Sequence, residues 1–156
     1  MKQSPQEARI VERMQPGVLS RDGFLGSDRR SLGEIIDTDR SALEGLGVTQ
    51  ERLAARMAEA LKAAEAAGGA PVKVGEHLLA EHREAMGRIP SPFPGEGVFR
   101  KGEVELTDER TGVKVLMTPL SIHMVAAHGF FQGRGSRYRT EPVLLCDVFD
   151  LGQPAK

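Results

Sequence analysis

A chain of 156 residues with 40% apolar and 28% charged side chains has the balance of a globular domain, which excludes wholesale disorder. Its net charge of −1 gives no global pull towards nucleic acid or an anionic membrane, so any such attraction has to be local. No stretch approaches the ~20 apolar residues that cross a bilayer, and the first residues lack the apolar segment of a signal peptide. With a single cysteine, Cys146, no intramolecular disulfide can form, and a reducing, cytoplasmic setting is expected. There is no Trp and only one Tyr, so Leu, Val, Ile, Met and Ala must build most of the core.

The first helix signal is Ser4-Pro5-Gln6-Glu7: a hydroxyl cap, a proline suited to the first helical position and a glutamate placed to complete a capping box. Pro16-Gly17 ends that helix, and Asp22-Gly23 marks a turn-rich connection. A second helical region spans about 28–46, with a break expected at Asp37-Thr38-Asp39 and a stop at Gly47. Thr49 caps a third, alanine-rich helix over 50–67, whose Leu53, Met57, Leu61 and Ala64 form one apolar face.

After Gly68-Gly69, residues 71–74 read as a short strand and 76–86 as a fourth helix. Prolines at 90, 92 and 94 forbid helix and favour an extended loop. Glu103–Thr107 alternates strictly and Val113–Met117 returns after a turn, which predicts a hairpin. Thr118-Pro119 opens a helix to His128, ended by Gly129, and the apolar run 143–149 around Cys146 reads as a final strand. The expected fold class is therefore α+β. N-terminal helices pack with a small, mostly antiparallel sheet made of hairpin, helix and strand in the C-terminal half. Residues 1–156 form one domain on this reading, with a seam at 68–71 between a helical region (1–68) and an α+β region (71–150).

The stretch from His123 to Arg139 is the densest in chemistry. The helix before it is apolar nearly all round, which places His123 near the interior. His128 falls at the helix C-terminus, where the helix dipole favours a protonated ring. Five residues apart, the two rings are separated by about 140° around a regular helix and do not share a face. Arg134, Arg137 and Arg139 follow, interleaved with glycines, Ser136 and Tyr138. Guanidinium forks fit carboxylate or phosphate, and glycines let backbone donors approach a ligand. The expected binding set is thus Arg134, Ser136, Arg137, Tyr138 and Arg139, with His123 and His128 as candidate catalytic groups.

His77 and Glu81, four apart, would share a helical face as metal ligands. Three functions follow. The first is a protein that binds an anionic small molecule or an acidic group on a partner. The second is an enzyme with His123 as general base and arginines stabilising negative charge. The third is a homodimer packed through the alanine-rich helix. No cofactor is specified, and sequence-specific nucleic-acid binding and a membrane partner are not expected.

Overall fold

The computed structural model describes residues 4–152. Helix α1 spans Pro5–Arg13, α2 Leu32–Leu46 and α3 Gln50–Ala66. Each begins on its hydroxyl cap: Ser4, Ser31 and Thr49 accept from the backbone N–H of Glu7, Glu34 and Arg52. Glu7 does not turn back on its own cap. Its carboxylate accepts from the N–H of Gly33, 3.2 Å away, and so ties α1 to the first turn of α2. The expected break at Asp37–Asp39 is absent: α2 runs unbroken to Gly47, and Asp39 is buried on its inner side.

Strands β1 (Val72–Val74), β2 (Leu78–Arg83), β5 (Glu103–Asp108) and β6 (Lys114–Met117) form an antiparallel sheet in the order β1-β2-β5-β6. Strands β3 (Arg88–Pro90) and β4 (Val98–Arg100) form a separate two-stranded ribbon. Helix α4 spans Pro119–His128 and α5 spans Pro142–Val148. The fold class is α+β, with the helices early and the strands in the later half.

Two expected elements change type. Residues 76–86 hold the central strand β2 in place of a fourth helix. Their Glu, Ala, Leu and His composition suits a helix, but Leu78 and Ala80 alternate into the core while β1 and β5 satisfy the backbone on both sides. The Cys146 run is a helix in place of a strand. Pro142 occupies its first turn, and Leu145, Cys146, Val148 and Phe149 are buried while Val143, Leu144 and Asp147 are not, a helical period. The proline-rich segment also does more than extend, since Arg88–Pro90 pairs with Val98–Arg100 as the ribbon.

The apolar face of α3 packs against the sheet and α4. Leu53, Met57 and Ala60 join Leu78, Val104, Leu106 and Val125 in one core that draws on both sides of the 68–71 step. A second cluster gathers Met14, Phe24, Leu32, Ile35, Phe93, Leu120, Met124 and Phe130 between the N-terminal helices, the ribbon loop and α4. No helix among the described residues is long and apolar enough to cross a membrane.

The glycine loop after α4 closes against the chain's own N-terminal segment. The N–H of Gly133 donates to the Phe24 carbonyl and that of Ser27 to the Arg134 carbonyl, both at 2.9 Å. A side chain at Gly133 would run into the Leu25 carbonyl, and one at Gly26 into that of Arg134. The bare glycine backbones therefore serve an internal seam between two loops.

Candidate functional site

The five candidate side chains of the 134–139 loop go to three places. Arg139 is interior, its side chain 5% exposed. Its guanidinium donates to both Asp39 oxygens at 2.7 and 3.0 Å, to the Gln132 carbonyl at 2.7 Å and to Glu141. Burial would lower its pKa, but the hydrogen bonds to Asp39 and Glu141 outweigh that and raise it. The charge is held permanently, and every arm of the fork has a partner within the fold.

Arg134 points the other way. Its backbone N–H donates to Asp28, whose carboxyl is held far below the usual range by the Arg30 guanidinium, against an opposing effect of burial. Its side chain is exposed beside a shallow groove shared with Lys114 and Glu141.

Arg137, Tyr138 and Ser136 line a cleft of about 340 Å³. One wall is the Ser20–Phe24 loop, a second is the ribbon with Ile89, Arg100 and Lys101, and a third is the loop from Gln132 to Tyr138. Phe24 and Leu120, both buried, and half-buried Ile89 give it an apolar floor. Four cations (Arg21, Arg100, Lys101, Arg137) face it with two carboxylates, Asp22 and Glu103.

Glu103 is already engaged. The Tyr138 hydroxyl donates to it at 2.8 Å, Arg137 lies at 3.2 Å and Arg83 at 3.4 Å. Burial pushes its carboxyl up, but the Tyr138 and Arg137 hydrogen bonds prevail and hold it below the ordinary value. Arg100 pairs with Glu65. Among the described residues, Arg21 and Lys101 have no such carboxylate within ion-pair distance.

The histidines stand apart from this cleft and form a centre of their own. His123 and His128 each donate Nε2–H to a different oxygen of Glu96, both at 2.7 Å. Two rings expected to lie apart around α4 thus converge on one carboxylate, which arrives from the loop between β3 and β4. Phe93 stacks on His128 with centroids 3.7 Å apart, and Phe99 lies 4.8 Å from His123. Arg13 fastens the same loop through the Ser91 and Pro92 carbonyls. A carboxylate that orients an imidazole is a general-base arrangement, yet neither ring lines the cleft. Burial raises the Glu96 carboxyl, the two imidazole hydrogen bonds lower it, and the net position is below the ordinary one.

His77 and Glu81 lose the helical geometry that suggested a metal. His77 precedes β2 and donates Nε2–H to the Val148 carbonyl at 2.9 Å, while Glu81 lies in the strand opposite Glu105. Among the described residues, no group of three or more His, Cys, Asp or Glu side chains is placed to hold a metal ion. Sequence reading missed Glu96, Glu103, Gln132, Arg21 and Lys101. The proline and glycine spacing around Glu96 marks a tight loop, but nothing local says that the loop lands on α4. No protein-family model, curated protein or solved structure matches this chain.

Two predictions follow from these ion pairs. Arg139→Met strands the buried Asp39 carboxylate and is expected to cost about 3–5 kcal/mol, while Asp39→Leu, which leaves the guanidinium its bonds to Glu141 and the Gln132 carbonyl, is expected to cost less. The double variant is expected to cost clearly less than the sum, read by urea unfolding; strict additivity would contradict the pairing. Glu96→Gln is expected to cost roughly 1–2 kcal/mol at neutral pH. Because the folded carboxyl titrates below its ordinary value, its contribution is complete above about pH 4.5 and is lost as the pH falls through the lowered value. The difference between wild type and variant should therefore shrink in acid, and a constant gap would contradict the bridge.

Proposed function

We propose that this protein binds a small amphipathic anion in the cleft between the Ser20–Phe24 loop, the β3–β4 ribbon and the Gln132–Tyr138 loop. The observation that carries this reading is an apolar floor beneath an excess of positive charge, with Arg21 and Lys101 meeting no carboxylate among the described residues. A volume of about 340 Å³ lies at the small end of the range of ligand pockets and suits a compact organic acid. Apolar walls also strengthen the attraction between the cations and a bound anion by excluding water.

Arg137 adds a donor, with Tyr138 and Ser136 shaping the wall around it. Arg134 and Arg139 take no part: the first faces another groove and the second is saturated by its own fold. His123 and His128 fix the far end of the ribbon, and so the wall that carries Lys101. The buried, unpaired Cys146 supports a cytoplasmic setting for this role.

Ligand that binds only the folded state raises the melting temperature with concentration. A thermal-shift titration with octanoate is expected to stabilise the protein, and the double charge reversal Arg21→Glu with Lys101→Glu is expected to abolish the shift while leaving the fold intact. Absence of any shift with aliphatic carboxylates and phosphate monoesters alike would overturn the reading.

A further inference from the structure

Gln132 stands out in the cleft wall. It is 3% exposed, yet it lines the cleft, and it is one of two non-glycine residues with a positive φ, at 70°, among those described. Left-handed backbone is costly for such a residue and persists only where surroundings enforce it. Here the enforcing contact is Arg139, whose guanidinium holds the Gln132 carbonyl at 2.7 Å. At the other end of the residue, the side-chain Oε1 accepts from the Ser136 hydroxyl. The amide nitrogen, Nε2, meets no acceptor among the described residues. It is not sealed in either, because no fully buried side-chain nitrogen or oxygen among them lacks a partner. Gln132 lines both the cleft and a smaller cavity beside it, and a nearly buried amide there with unpartnered N–H donors is a group waiting for an acceptor.

Resting on the cleft's proposed role as an anion site, we infer that its ligand is a monocarboxylate, and that Gln132 reads the carboxylate through its Nε2–H donors. The neighbouring charges decide between carboxylate and phosphate. Arg137 and Glu103 form an ion pair on the same wall, so that wall offers hydrogen bonds with little net charge. A phosphate monoester carries close to two negative charges at neutral pH and would bring the second of them against the Glu103 carboxylate. A carboxylate carries one charge and presents two planar acceptors, which an amide NH₂ and one arm of Arg137 can share. The cations at the rim set the sign of the ligand, and the Gln132 wall sets its head group.

The test compares octanoate, octyl phosphate and octanol, each below its micellar concentration, by calorimetric titration of the full chain at neutral pH. Wild type is expected to bind octanoate about tenfold or more tightly than either of the others, the worth of one hydrogen bond to a charged group. Gln132→Met, which keeps the length and removes the donors, is expected to lose that preference while melting within a few degrees of wild type. Glu103→Gln is expected to raise octyl phosphate affinity several-fold more than it raises octanoate affinity. Equal binding of octanoate and octyl phosphate would overturn the inference and leave the anion site standing. Octanol binding as tightly as octanoate, or no binding by any of the three, would remove the anion site itself. Should Gln132→Met fail to fold, the Glu103→Gln result decides alone, and an unchanged ratio of phosphate to carboxylate affinity overturns the inference.

Discussion

The buried fork of Arg139 is the constraint on which the rest of the site depends. One guanidinium joins Asp39 on α2, Glu141 at the start of α5 and the carbonyl of Gln132 in the loop between α4 and α5. Desolvating a guanidinium and a carboxylate costs several kcal/mol each, and only near-complete hydrogen bonding offsets it. The pair therefore adds little net stability compared with a hydrophobic alternative. What it does is fix one conformation: the loop can close in few ways that leave all these groups satisfied. Gln132 is held in a left-handed backbone, and Ser136 and Tyr138 fall against the cleft.

A second constraint acts on the opposite wall. The β3–β4 ribbon has only two strands, too few to hold itself in water. It is kept in place at its tip, where Glu96 bridges His123 and His128 and Phe93 enters the second core cluster. The two fastenings share a logic. Each takes a charged group from a loop and satisfies it on a helix, and each positions a wall of the cleft without itself lining it. The arginines and histidines that are most conspicuous in the sequence are thus largely the frame, and the groups that face the cleft are quieter ones.

How far the sequence could be read follows from what is local in it. Caps at Ser4, Thr49 and Thr118, the hairpin from Glu103 to Met117 and the helix to His128 rest on neighbouring residues, and all stand in the structure; the second helix, expected from about residue 28, begins only at Leu32. Residues 76–86 and 143–149 depart from their local pattern because their type is set from outside: β2 needs β1 and β5, and an apolar run has no period until burial selects one. Among the residues at the cleft, Arg137, Ser136 and Tyr138 stand out in the sequence because they are clustered. Glu96 and Glu103 do not, because their partners lie 20 or more residues away and pairing at that range leaves no trace in spacing.

The most direct measurement of the central constraint is native-state hydrogen exchange on Arg139→Lys, which keeps the charge but loses the planar fork. If the fork locks the loop, the amides of Gly133 and Ser27, which zip it to the N-terminal segment, should exchange roughly tenfold faster or more relative to amides of α3 and β5. If those two amides keep pace with the rest of the molecule, the loop holds itself and Arg139 is not what shapes the cleft.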